Sequence, residues 1–178
     1  MVRAFTDEPI AADAVERILD VARRGPSAGY SQGVEFIAVT DAAGRRSLAG
    51  PPGEAREKAG QQNFIVQAPA LIVICANPEM YRSRYREPDK KPVRARLSDE
   101  ALWTVPYWHT DAGCAMMLIL LAAVNEGIAA AFVGFDPERI PDVKRFLHIP
   151  DAYIPIGVVA LGHEAPEAEQ ASGSAAQP

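Results

Sequence analysis

Two places along the chain carry side chains suited to holding a small anionic group. Arg3 lies in the opening segment VRAF, and 24 residues later Ser27 stands in the loop Pro26-Ser27-Ala28-Gly29-Tyr30-Ser31-Gln32. A guanidinium, a hydroxyl and free backbone N–H groups are what a phosphate monoester needs. On these residues alone the plainer readings stay open. Arg3 is then a solvated terminal residue and Ser27 an ordinary turn residue.

Other chemistry is not signalled. The chain has no GxGxxG, no Walker loop, no HExxH and no GxSxG. Its three histidines, His109, His148 and His163, lack metal-ligand spacing, so no metal site is expected. A chain without an acid–base or nucleophile signature often borrows its reactivity from a cofactor.

The elements that position these residues follow from periodicity. DAVERILDVARRG places Val15, Ile18, Leu19 and Ala22 on one helical face, and Gly25-Pro26 ends it. VEFIAVT and ALIVICA read as strands, with a helix from Glu54 to Gln67 between them. Residues 77–101 are rich in Arg and Lys and interrupted by Pro88 and Pro92. They read as an exposed, mobile excursion, either a solvated loop or a lid bordering a substrate entrance. A long apolar helix follows from about Pro106 to Glu126, then the strand AAAFVGF, the helix DPERIPDVKRFLHIP and the strand YIPIGVVALG. Four strands and four or five helices in mixed order predict an α+β or three-layer α/β domain. The tail APEAEQASGSAAQP is poor in large apolar residues and is expected to be disordered.

At 178 residues the chain suits one domain with a sizeable core. Its net charge of -5 argues against nucleic acid as a partner. The longest apolar run, Ala112 to Val124, is short of the roughly 20 residues of a membrane span and reads as a buried helix. Cys75 and Cys114 both lie in apolar runs and read as small buried hydrophobes, which fits a reducing cytoplasm.

VRAFTDEPI and VERILDVARRGPSAGYSQGVEFIAV together resemble the opening of the FMN-dependent nitroreductase family: an arginine, a helix, Pro-Ser, a short loop, Gln and a strand. YWHTDAGCAMMLILLAAVNEGIAAAFVGFDPERIPDVKRFLHIP is similar to the family's core helix with its Asp-x-Gly start, the strand ending in Gly and the short helix beyond. IGVVALG resembles its last strand. The resemblance covers residues 2–166, leaving 167–178 as the tail.

The resemblance implies a three-layer α/β/α nitroreductase-like fold of the α+β class, with a mixed, mostly antiparallel sheet and a long buried core helix. It also implies FMN at the interface of a homodimer, with NADH or NADPH as donor in a ping-pong cycle. The acceptor would be a small nitroaromatic, quinone or other conjugated molecule. Arg3 falls where the family holds the FMN phosphate. Pro26, Ser27, Ala28 and Tyr30 form the loop whose hydroxyl or amide meets the ribityl or phosphate group. Gln61 falls near the isoalloxazine edge, with Asn63 as its alternative. Val133 and Gly134 fall where a backbone N–H points at flavin N5. Trp103, Tyr107 and Trp108 are candidates to line a substrate slot, or else they pack helix against sheet.

Departures from the family pattern concern the phosphate. The two basic residues and the serine usual before this arginine have no counterpart after Met1, so the expected true start is upstream or the chain is shortened. The stretch after His163 holds no Lys or Arg. Tyr30 replaces the loop's common asparagine, and Gly33-Val34 replaces the Pro-Trp after the glutamine. Dehalogenation or dehydrogenation on the same scaffold, flavin binding with little turnover, and a plain helical interaction module remain as rival readings.

Overall fold

Strand β2 (Ala70–Ala76) is buried along its whole length, and its alternation builds the domain. Ile72 and Ile74 enter one apolar cluster; Leu71, Val73 and Cys75 enter another on the opposite face. With a period of two, both faces of the sheet must be covered. The computed structural model describes residues 2–50, 64–94 and 96–166. Gln61, Asn63, most of the Glu54–Gln67 helix and the tail 167–178 lie outside the described residues.

The sheet also contains β1 (Val34–Val39), β3 (Ala129–Gly134) and β4 (Ile154–Gly162), in the order β1-β2-β4-β3. Every pair is antiparallel. The expected mixed sheet therefore has no parallel pair among the described residues. One face carries α1 (Ala12–Arg23) and the long α7 (Tyr107–Asn125). The other carries α2 (Ala42–Ala49), α3 (Phe64–Gln67) and α8 (Ile140–Phe146). This is the three-layer arrangement, and a purely helical module is ruled out.

Helix α7 packs on α1 and on all four strands. Arg17 of α1 bridges Asp13 at 2.9 Å and Glu126, just past α7, at 2.8 Å. By length and composition the stretch Glu100–Asn125 would also suit a membrane span. Helix α7 is the long core helix expected from the sequence, and its packed side is buried. Tyr107, Thr110, Cys114, Met117, Leu121 and Val124 are exposed at alternating spacings of three and four. Cys114 is thus an exposed thiol, whereas burial pushes the Cys75 thiol up to about 11.

Residues 77–101, expected as an exposed excursion, are largely exposed and carry regular structure in three helices: α4 (Pro78–Tyr85), α5 (Lys91–Arg94) and α6 (Asp99–Leu102). Pro78 sits at the start of α4, where its missing N–H costs nothing, and the Asn77 side chain caps that end. Much of the basic charge is met locally. Arg84 pairs with Glu87 and Asp89, and Arg86 and Arg82 pair with Glu79. Aromatic contacts pin the segment down: Tyr81 to Trp108 at 6.1 Å, Tyr85 to Trp103 at 5.2 Å, and Trp103 to Trp108 at 5.5 Å between ring centres.

The turn between α1 and β1 is short and strained. Gly29, Tyr30 and Gln32 all have positive φ, at 62°, 61° and 50°. Gly29 fits easily, and it also lets the loop close on Tyr85, whose ring a Cβ would meet at 2.5 Å. Tyr30 gains no such ease, since a left-handed residue with a bulky side chain costs roughly 1–2 kcal/mol.

Two outcomes are expected. Tyr30→Asn, which tolerates this conformation better, should stabilise the fold by about 1 kcal/mol, read as a rise of about 2–4 °C in Tm by calorimetry. Arg84 also holds the Asp89 carboxyl down to about 2 through its charged hydrogen bonds. Because the folded value lies below the unfolded one, this contribution is whole above about pH 4 and fades as pH falls towards 2. Arg84→Met should return the Asp89 titration, followed by NMR, towards about 4.

Candidate functional site

The residues singled out for chemistry fall into three places. The first is the β3 edge. The segment carrying Arg3 lies beside β3 through a Val2 N–H donated to the Ala130 carbonyl at 3.1 Å, and it returns to the end of β4 through the Phe5–Glu164 bridge. Arg3 is exposed and forms no hydrogen bond or ion pair with the described residues. Further along the same strand come half-buried Val133 and exposed Gly134, where an added Cβ would meet only open space. From Ala130 to Gly134 is four residues, roughly 13 Å of strand. β3 is the last strand of the described sheet, so alternate N–H groups point away from it. A free guanidinium, an outward backbone edge and a residue without a side chain suit an extended ligand with a phosphate at one end. The donor set fits FMN.

The second place is the loop Pro26–Gln32, at the far edge of the sheet before β1. The Ser27 hydroxyl oxygen accepts from the Gln32 N–H at 2.9 Å, which leaves its own proton to donate. The Ala28 N–H donates to Asp111 Oδ2 at 2.8 Å. Tyr30 is exposed. Pro26, Ser27, Gln32, Met80, Asp111 and Ala115 help line an open cleft of about 350 Å³. Arg23 and Arg24 at the end of α1 both pair with Asp20 and are not spare cations.

These two places do not meet in one chain. β1 and β3 are opposite edges, three strand spacings or roughly 14 Å apart. Arg3, Val133 and Gly134 therefore stand together, Pro26, Ser27, Ala28 and Tyr30 stand together, and the sheet separates the groups.

The third place is the aromatic cluster where α6 leads into α7. The buried Trp108 ring is enclosed by Tyr81, Trp103 and His109, with the Arg82 guanidinium 5.3 Å from its centre. Its surface is used in packing, and its Nε1 has no hydrogen-bond partner among the described residues. Trp103 is half-buried against Tyr85. Of the three aromatics proposed for a slot, Tyr107 presents the most open face.

Sequence reasoning missed the role of Asp111, noting it only as the start of Asp-x-Gly. Its Oδ2 accepts both the Ala28 N–H and the Tyr81 hydroxyl, each at 2.8 Å. Burial, helped by the neighbouring carboxylate, pushes the Tyr81 phenol well above the usual range, so it stays a proton donor. The available signal was a lone carboxylate early in an apolar helix, a costly position unless it is hydrogen-bonded.

Comparison with known proteins identifies the family and the fold. The Nitroreductase family model matches residues 1–163. The FMN reductase [NAD(P)H] of Bacillus subtilis (strain 168) is 26% identical, covering 92% of this chain, and the chain spans 62% of that protein's length. The NADH dehydrogenase of Thermus thermophilus is 30% identical, covering 93% of this chain and 83% of its own. A nitroreductase family protein from Clostridium novyi NT, 22% identical, shares the fold with a TM-score of 0.71 over 93% of this chain and 80% of that one. With the family model spanning nearly the whole described domain, the chain belongs to the nitroreductase family.

Proposed function

We propose that this protein is an FMN-dependent oxidoreductase that takes electrons from NADH or NADPH. It passes them, in a ping-pong cycle, to a small nitroaromatic, quinone or other conjugated acceptor. The names of the B. subtilis FMN reductase and of the oxygen-insensitive NADPH nitroreductase of Salmonella typhimurium support both the cofactor and the donor. FMN supplies the redox chemistry. The protein's own residues hold it and shape the slot beside it.

The observation that carries the reading is the separation of the two half-sites. Arg3 and the Val133–Gly134 end of β3 serve the cofactor from one protomer. The Pro26–Tyr30 loop, which the same protomer holds at the other edge of its sheet, closes over the cofactor from a second copy. The exposed α7 stripe of Tyr107, Cys114, Met117, Leu121 and Val124 supplies an apolar face for this homodimer. Tyr107, Trp103 and Trp108 border the acceptor slot, with Tyr107 the most exposed of the three. The free thiols Cys75 and Cys114 suit a cytoplasmic setting.

The reading is tested by incubating the protein with FMN, removing the excess, and recording flavin absorbance and NAD(P)H consumption with an added acceptor. A colourless protein without turnover overturns it. Because Arg3 has no competing partner among the described residues, Arg3→Ala should weaken FMN binding by about one to two orders of magnitude. Riboflavin, lacking the phosphate, should bind both proteins equally. Equal weakening of both ligands would place the phosphate elsewhere. Leu121→Arg, towards the C-terminal end of the exposed stripe, should convert a dimer seen by light scattering to a monomer and lower FMN affinity with it. A monomeric wild type that binds FMN fully would overturn the shared site.

A further inference from the structure

We propose that Asp111 is the positioning residue of the Pro26–Gln32 loop, holding it through the Ala28 amide in the shape that meets the flavin. The proposal rests on the FMN reading above and adds a residue that the family pattern does not assign to the cofactor.

The loop's internal hydrogen bonds give it shape without giving it a place. Gln32 N–H donates to Ser27 Oγ, Tyr30 N–H to the Ser27 carbonyl, and Ser31 Oγ to the Ala28 carbonyl. Among the described residues, the bond from Ala28 N–H to Asp111 Oδ2 is the only hydrogen bond from residues 26–32 to another element. It is charge-assisted, hence stronger than a neutral one. The positive φ of two non-glycine residues, Tyr30 and Gln32, makes the loop one that persists only when its surroundings constrain it.

The carboxylate is itself held in place. The Tyr81 side chain is fully buried, and its hydroxyl donates to the same oxygen that Ala28 uses. Asp111 sits in the second turn of α7, the helix that packs on every strand. Tyr81 and Tyr85 both belong to α4; Tyr85 lies against Gly29 of the loop, and Tyr81 against Gly33 just past it, whose carbonyl accepts from the Asn77 N–H at 2.8 Å. The 78–102 segment is thereby tied to the loop through one carboxylate and two rings. Asp111 acts through Ala28 and is a positioning residue, not a catalytic one.

The test compares wild type, Asp111→Ala, Asp111→Asn and Tyr81→Phe in the full chain. It reads the FMN dissociation constant and, in cofactor-free protein, hydrogen exchange at the Ala28 amide. Asp111→Ala should weaken FMN at least about tenfold and speed Ala28 exchange. Both bonds land on one oxygen, so the carbonyl of Asp111→Asn can accept both. That variant should stay within about threefold of wild type. A merely structural role predicts that both variants lower thermal stability without separating in FMN affinity, and that result overturns the proposal. If Asp111→Ala does not fold, Tyr81→Phe decides. Weaker FMN binding with faster Ala28 exchange supports the proposal, and no change in either overturns it. Wild type that binds no FMN removes the cofactor reading and this proposal together. Wild type that binds FMN beside an unaffected Asp111→Ala removes this proposal alone.

Discussion

Strand β2 has no face turned to solvent, and the architecture answers that constraint. Ile72 and Ile74 need α1 and α7 on one side, and Leu71 and Val73 need α2, α3 and α8 on the other. Each such side chain contributes about 1.5–3 kcal/mol when buried. Exposing either face would forfeit several of these contributions together. β4 shares the constraint, since most of its length is buried as well. The pair β2–β4 forms the middle of the sheet, which leaves β1 and β3 as its edges.

That placement decides where chemistry can occur. A strand buried on both faces has no room for a ligand the size of a nucleotide, so the residues suited to binding one lie at the margins. Arg3 and Gly134 follow the outer line of β3, and Ser27 and Tyr30 sit where the chain enters β1. The exposed stripe of α7 lies on the same layer that covers this sheet. Edge strands and exposed apolar helices are liabilities in an isolated protomer. In the homodimer proposed above, a second copy would cover them and complete the site.

The segment between β2 and α7 shows that a basic, exposed stretch can still carry regular structure when its charges find local partners. Its arginines suggest a solvated loop, yet Glu79, Glu87 and Asp89 meet them. Tyr81, Tyr85 and Trp103 supply the apolar contacts that hold it down. Such exposed ion pairs add little stability each, so the aromatic contacts are the larger part of its anchoring. Tyr81 carries the connection inward, to Asp111 and from there to the Ala28 amide.

The order and type of the main elements were legible in the sequence because they depend on local periodicity. The apolar face of DAVERILDVARRG and the runs ALIVICA and IGVVALG match α1, β2 and β4, and the ordered resemblance pointed to the family. Arg3 and Ser27 could be named as candidates from their residue types, and Gly134 from the family resemblance. Three matters rested on tertiary structure. The antiparallel pairing of the described strands arises from long-range hydrogen bonds that no local window contains. The division of α7 into a packed side and an exposed stripe could not be read from a helix apolar all round, because only its neighbours distinguish its faces. The task of Asp111 depends on two partners, 30 and 83 residues away along the chain. A hydrogen bond is decided by position within a few tenths of an ångström, and folding alone supplies that position.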